Sequence, residues 1–466
     1  MAHEDRNGPG VTPDDDDRDT GERGLLDKAL GLFAEVHGGE GGTAILLTLN
    51  VFLLLICYYF LKTAREPLIL ASGAEVKSYT SAGQAILLIP GTYVYGKIAE
   101  RVGRMKLIAI VTFFFASNLV LFFIAGKAHV PYLGVAFFLW VGVFNMMIIA
   151  QFWSFAADIY SPKQGKRLFA ILGIGSTIGA AVGAAIAGAL FKSVDEFGLM
   201  LGAAGILLLS LLVTSIVNKR EKRREQAKKE PKEEVPLGKA GGFAMLLKDK
   251  YLMLVGALSF ILNWVNTSGE YILDRTLLEA AKHGVPAGVD VAKWTDQYIG
   301  EFKANYFFWV NAISVGMQLF IVSRFIKYLG VRTALLVIPA ISLAGYSTAA
   351  FFPVLSLIFV VKIAENSLDY SLENTARQAL WLVTSRDAKY KAKSVIDTFI
   401  VRAGDLFSAM VTGLGAWLHF STRNFIVINA MLVLCWLTVV VFLTRLYKER
   451  SEKPEVREKV AELVPA

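Results

Sequence analysis

Apolar runs of about twenty residues recur from one end of this chain to the other, and nothing else in it restricts the fold so strongly. A helix of that length crosses about 30 Å of hydrocarbon. Lipid offers no hydrogen bonds to a bare backbone, so runs of this kind must be helical. The short alternating strands of a membrane barrel are missing from the pattern. With 466 residues, 55% of them hydrophobic, and a mean hydropathy of +0.49, the chain is too apolar for two or three soluble domains. The expectation is an all-α integral membrane protein.

The runs predict twelve transmembrane helices. Six fall at about 43–62, 79–96, 105–125, 132–157, 167–191 and 197–217. Six more fall at about 250–271, 303–322, 332–351, 354–377, 394–417 and 422–445. This divides the chain into a tail (1–42), a six-helix half (43–217), a linker (218–247), a second six-helix half (248–445) and a closing tail (446–466). The first tail is acidic, with a run from Asp14 to Asp17, and is expected to stay solvated. It lacks the basic start and short apolar core of a signal peptide. Leu25, Leu26, Ala29, Leu30, Phe33 and Val36 then predict a short amphipathic helix on the membrane surface. The linker segment from Lys219 to Lys239 holds nine basic and five acidic residues and two prolines.

The net charge of +8 does not point to nucleic acid, because the basic residues sit in short loops between apolar runs. Lys97, Arg101, Arg104, Lys106, Lys163, Lys166, Arg167, Arg324, Lys327, Arg332, Arg386 and Lys389 all fall on the side of the linker and both tails. The positive-inside rule makes that side cytoplasmic. The expected location is a plasma (inner) membrane, and the expected unit is a monomer in the lipid bilayer. The two cysteines, Cys57 and Cys435, lie inside apolar runs and predict no disulfide. The five histidines have no ligand spacing, and neither metal nor cofactor is expected. With no nucleophile and base paired, the chain is not expected to be an enzyme.

Charges at membrane depth are costly and mark candidate sites. Tyr58, Lys62 and Arg65, with Glu66, close the first run on one helical face. Snorkelling at a helix end is the competing account. Lys362, Glu365, Asp369, Glu373 and Arg377 follow steps of three and four and predict one continuous stripe. That stripe faces either a central cavity or a partner helix, as a structural ion ladder. Asp397, Arg402 and Asp405 lie in the eleventh run, and Glu270 near the end of the seventh, followed by Asp274 and Arg275 in a position that suits water. Gly175, Gly179 and Gly183, four apart, predict close helix packing.

Gly96, Glu100, Arg101, Gly103, Arg104 and Lys106 form a glycine turn flanked by charges between the second and third runs. This resembles the loop motif of the major facilitator superfamily, where it serves as a gating latch. A degenerate copy from Ser323 to Arg332 keeps Gly330 and Arg332 at the same place in the second half, as a 6+6 pseudo-repeat requires.

Three stretches resemble the ADP,ATP carrier family of bacterial and plastid nucleotide exchangers: YYFLKTARE from Tyr58, QFWSFAADIYSPKQGKRLFAIL from Gln151, and Ser371 to Asp405. The resemblance implies a major-facilitator-like fold that exchanges ATP for ADP. It places Arg65 with Glu66, the pair Lys166 and Arg167, then Lys391, Lys393 and Asp397, and more loosely Glu270, at family positions. Gln164 stands where well-known exchangers have an acid, and Asp405 where they have a lysine. The first expectation is therefore a nucleotide exchanger in which Lys62, Arg65 and Arg402 clamp phosphates and Tyr58 or Trp153 stacks the base. The alternative is a proton-coupled major-facilitator transporter of another small anionic solute, favoured by the acids of the tenth run. A non-transporting assembly or sensing partner is the third.

Overall fold

The computed structural model describes residues 40–99, 102–160, 162–225, 242–381, 383–385, 388 and 392–452. The expected tail and surface helix, the centre of the linker, residues 453–466, and Glu100 and Arg101 of the loop motif lie outside them.

The described elements are helices, in two sets. The first comprises α1 (Gly41–Leu70), α2 (Ala74–Ala99), α3 (Arg104–Lys127), α4 (Leu133–Phe144), α5 (Ala150–Ile159) and α6 (Pro162–Glu225). A wide π turn at Asn145–Ile149 joins α4 to α5. The second set begins with α7 (Gly242–Lys248), α8 (Lys250–His283), α9 (Val291–Phe320) and α10 (Val322–Phe351). It continues with α11 (Leu355–Leu368), α12 (Asn374–Leu380), α13 (Lys393–Val395), α14 (Val401–Trp417) and α15 (Thr422–Ser451). Two more π turns, Asp369–Glu373 and Ile396–Ile400, join α11 to α12 and α13 to α14.

Among the described residues, nine helices are long and apolar enough to cross a membrane. The chain is a multi-pass membrane protein. Helix α2, helix α9 and the α11–α12 unit are not among the nine. They carry polar and charged side chains such as Lys77 and Gln84, Lys303 and Asn311, and Lys362 and Glu365, and these same helices line the central cavity. Phe113, Leu121, Leu212, Met431 and Phe442 project outward and are more than half exposed, which suits a lipid-facing surface.

Two details differ from the spacing-based expectation. The sixth run continues as helix to Glu225, about two turns into the expected linker, and α7 lies inside that linker as well. The break between the fifth and sixth runs is a single residue, Asp195, at φ 59°; its carboxylate caps the next helix by accepting from the backbone N–H groups of Phe197 and Gly198, each at 2.9 Å. Within α10, Gly330 takes φ 78° and ψ 164°, a conformation that side chains disfavour, at the glycine kept in the second copy of the loop motif.

There are two apolar cores: one, with Leu47, Phe115, Phe144 and Leu207, lies within the first set, and the other, with Leu258, Tyr306, Leu372 and Trp436, lies mainly in the second set and takes in Tyr59, Ile69 and Ala180 of the first. The glycine row of α6 lies flat against α1. A Cβ on Gly179 would fall 2.6 Å from the Phe52 carbonyl oxygen, and one on Gly183 2.7 Å from the Ile56 Cα. The expected close packing is therefore α6 on α1, backbone to backbone.

Thr43, at the start of α1, donates to Glu221 near the end of α6, which fixes the linker end of the molecule. At the far end the halves meet. Tyr59 donates to Asn311 at 3.0 Å, Tyr271 to Glu75 at 2.9 Å, and Ser78 to Thr412 at 3.3 Å.

Candidate functional site

A cavity of about 200 Å³ lies between the halves, lined by α1, α2, α8, α9, the α11–α12 unit and α14. Tyr59, Lys62, Arg65 and Glu66 contribute from one face of α1. Lys77 and Gln84 come from α2, Asn266 and Glu270 from α8, Tyr306 and Phe307 from α9. Asn366 and Tyr370 descend from α11 and its π turn, and Arg402 and Asp405 from α14.

The far end of the cavity is closed by a buried ion network that joins the halves. Lys77 lies 2.5 Å from Glu66 Oε2 and 2.6 Å from Asp274 Oδ2. Lys303, completely buried, lies 2.5 Å from Asp274 Oδ1, 3.6 Å from Glu270 and 3.8 Å from Glu66. Lys362 extends the chain: it is 2.8 Å from Glu365, 3.8 Å from Glu270, and donates to Asn266 Oδ1 at 2.8 Å. Glu365 also accepts from Tyr346 at 2.8 Å, and Glu270 from Tyr306 at 2.6 Å and Asn366 at 3.0 Å. Buried charges persist when they are paired and further hydrogen-bonded; Lys77 and Lys362 meet both conditions, and Lys303 is held by its three carboxylate neighbours alone.

The cations facing the cavity differ in how fully they are paired. Arg65 donates to Glu66 Oε1 from Nε at 3.1 Å and from Nη2 at 3.0 Å, and its guanidinium stacks 4.3 Å from the Phe138 ring centre. Arg402 reaches Asp405 Oδ2 at 3.0 Å, while Asp405 Oδ1 is held by Asn263 and Thr267 at 2.8 Å each. Lys62 has no carboxylate partner among the described residues. Its ammonium sits over the rings of Phe307, at 4.2 Å, and Tyr59, at 5.2 Å. Around the cavity and its closing network, six cations (Lys62, Arg65, Lys77, Lys303, Lys362, Arg402) face five carboxylates (Glu66, Glu270, Asp274, Glu365, Asp405). Of the six, Lys62 is the one with no carboxylate within 4 Å among the described residues.

Of the residues singled out in the sequence, Lys62, Arg65, Glu66, Glu270, Arg402 and Asp405 meet at the cavity. Tyr59 lines it where Tyr58 was expected; Tyr58 packs edge-on against the Tyr59 ring. Trp153 packs on Phe152 and Phe169 within the first half, away from the cavity. Glu365 stands behind the wall as the partner of Lys362. Lys393 donates to Gln378 at 2.7 Å, and Asp397 is exposed on its π turn. The side chains of Gly96's neighbours Glu100 and Arg101, and those of Lys166 and Arg167, lie outside the described residues. From the same loop motif, Gly103 opens α3, and Arg104 pairs with Asp158 at 3.5 Å.

Two expectations change. Asp274 is not in water: its side chain is 1% exposed and pairs with two lysines. The stripe on the tenth run is not continuous. The π turn at Asp369–Glu373 inserts extra backbone, so Lys362 and Glu365 join the closing network while Asp369 pairs with Arg377 at 3.2 Å. Sequence reasoning missed Lys77 and Lys303 as site residues. Asp274 was traceable, being one helical turn from Glu270 on the same face.

A bundle of apolar helices in two sets around a charged, closed-ended cavity defines a membrane transporter fold. The profile of the Major Facilitator Superfamily matches residues 43–367, and the chain belongs to that family. It is related to ADP,ATP carrier protein 1 of Chlamydia pneumoniae, with 24% identity over 67% of this chain and 66% of that one. The same protein of Chlamydia trachomatis is also 24% identical, over 67% of this chain and 64% of its own. The chain thus spans slightly less than two thirds of the length of these relatives. Among solved structures, the nucleoside transporter NupG superposes with a TM-score of 0.59 at 14% identity, covering 88% of this chain and 99% of that one. The POT family transporter PepTSo gives 0.59 at 12% identity, covering 86% and 98%. These likenesses carry the fold.

Proposed function

We propose that this protein is a nucleotide exchanger of the ATP/ADP type that works by alternating access. The observation that carries the proposal is Lys62, a cavity-wall cation with no carboxylate partner among the described residues, sharing the cavity with Arg65, Arg402 and the rings of Tyr59, Phe307 and Tyr370. Cations bind phosphate oxygens, and aromatic faces stack bases. The 24% identity to ADP,ATP carrier proteins supports the same substrate class.

In this reading twelve helices cross a bacterial inner membrane in a 6+6 pseudo-repeat, with both termini cytoplasmic. The π turns of the fourth and tenth helical units stand at corresponding places in the two halves, which supports the repeat. The structure is then closed toward the outside by the Lys77 and Lys303 network. Rocking of the halves would open that end and close the other. The unit is a monomer.

A ligand screen on purified protein tests the binding step. ATP and ADP should raise the thermal midpoint with a dependence on concentration, and Lys62→Gln should abolish the rise. Stabilisation by other anions but by no nucleotide would exclude this substrate class.

A further inference from the structure

Among the described residues, one fully buried carboxylate has been given no role. Glu373 closes the π turn of the tenth helical unit, one turn beyond the cavity residue Tyr370 toward the linker end. Its side chain is fully buried, and neither carboxylate oxygen has a hydrogen-bond partner among the described residues. The nearby guanidinium of Arg377 bonds Asp369 through Nη2 at 3.2 Å and makes no ion pair with Glu373, although its Nε has no hydrogen-bond partner among the described residues. One cation therefore serves two acids, and Glu373 is the one left out.

Among the described residues, the helices packed around this stretch supply no substitute. Helix α9 presents Met317, whose sulfur accepts from Ser371, and its charged residues Lys293, Asp296, Glu301 and Lys303 lie at its opposite end. On α10, Arg324, Lys327 and Arg332 are exposed near the linker end, while Ser342 and Tyr346 are engaged with Glu365. Lys362 and Glu365 of α11 pair with each other, and Asp397 of the eleventh unit is exposed. An ionised carboxylate buried without a partner is heavily penalised, whereas its protonated form is a neutral group that the interior tolerates.

We propose that Glu373 is a proton-binding site, so that transport through the cavity is coupled to proton movement. The proposal rests on the alternating-access reading and adds a coupling ion to it. Asp369 and Arg377 beside Glu373 are 14% and 27% exposed, which gives the proton a path to water on the linker side. The wide backbone turn lets a small rotation of the helix expose the buried acid. The proton is taken from water with the cavity open to one side and returned to water on the other.

The test uses the full-length protein in liposomes, with ATP outside, ADP inside and a trapped pH-sensitive dye, alongside infrared spectra of the same samples. Wild type should show the C=O band of a protonated carboxyl at neutral pH. That band should vanish in Glu373→Gln and shift in Glu373→Asp. Proton movement should accompany ATP entry in wild type and be lost in Glu373→Gln, with labelled nucleotide exchange retained. Should Glu373→Gln fail to fold, the band shift in Glu373→Asp carries the assignment. An ionised Glu373 at neutral pH, or proton movement unchanged in Glu373→Gln, overturns the proposal. If no nucleotide moves in any sample, the substrate reading fails, and the infrared band still decides whether Glu373 holds a proton.

Discussion

Lys77 of α2 and Asp274 of α8 meet 2.6 Å apart across the interface between the two halves, both almost completely removed from solvent. They are 197 positions apart in the chain. Glu66 and Lys303 complete the cluster, so each lysine there is shared by more than one carboxylate. The far end of the cavity is held shut by charges that become costly as soon as one partner is removed.

That sharing predicts strong coupling between the two residues. Lys77→Gln and Asp274→Asn should each lower the thermal midpoint in detergent, and the double variant should lose less than the sum. The coupling free energy should fall within about 0.5–3 kcal/mol, as for residues in one buried network. Additive losses would mean that the pair is not a working contact. A cysteine placed at the far end should also label faster in either variant.

Lys62 should behave in the opposite way. It has no carboxylate partner among the described residues, so Lys62→Gln should leave the unliganded protein about as stable as wild type. Losing a charged contact to a bound anion weakens binding by about 1.5–3 kcal/mol, or roughly 10- to 150-fold in Kd. Calorimetric titration with ATP measures this. A Kd unchanged by Lys62→Gln would remove Lys62 from the site.

Packing of α6 on α1 gives a prediction independent of charge. Gly179→Ala places a methyl 2.6 Å from a backbone oxygen that cannot move aside easily, and should destabilise by about 1–3 kcal/mol. Gly205→Ala, with nothing within 4 Å of the added carbon, is the control and should be neutral or mildly stabilising. Thermal midpoints of the two variants decide it; equal values would contradict the backbone contact.

Asp296, near the start of α9 and outside the apolar spans, gives a pH signature. Burial pushes its carboxyl up to about 7, helped by the negative charges of Glu196 and Asp290. An acid with a raised folded-state value keeps its proton when folded and releases it on unfolding. Its destabilising effect is absent below the unfolded value, about 4. The effect grows as pH rises and is complete above about 7. The stability gap between Asp296→Asn and wild type should therefore widen from pH 4 to 7 and then level off. A gap independent of pH would show that Asp296 ionises normally.

Much of this molecule could be read from the sequence because membrane insertion leaves a strong one-dimensional signal. The apolar runs located the helices, and charges at depth in α1, α8 and α14 led to Lys62, Arg65, Glu66, Glu270, Arg402 and Asp405. The closing network was less legible. Lys77 stands just before the second apolar run and Lys303 at the start of the eighth, where a lone lysine suits a membrane boundary, and only tertiary packing reveals their shared partners. The π turns leave no signal in helical periodicity, so the stripe from Lys362 to Arg377 seemed continuous, and the isolation of Glu373 was hidden. Tyr58 and Tyr59 differ by one residue, about 100° around a helix, and no charge pattern decides which of them faces the cavity.

Counter-exchange in proteoliposomes tests the central claim most directly. Vesicles loaded with ADP and given labelled ATP should accumulate label, and empty vesicles should not. Because ATP carries about one more negative charge than ADP, uptake should respond to membrane voltage, at roughly 2.3 kcal/mol per 100 mV for each charge moved. Lys62→Gln should reduce uptake at low ATP. Failure of ADP-loaded and empty vesicles alike to take up any nucleotide would contradict the account.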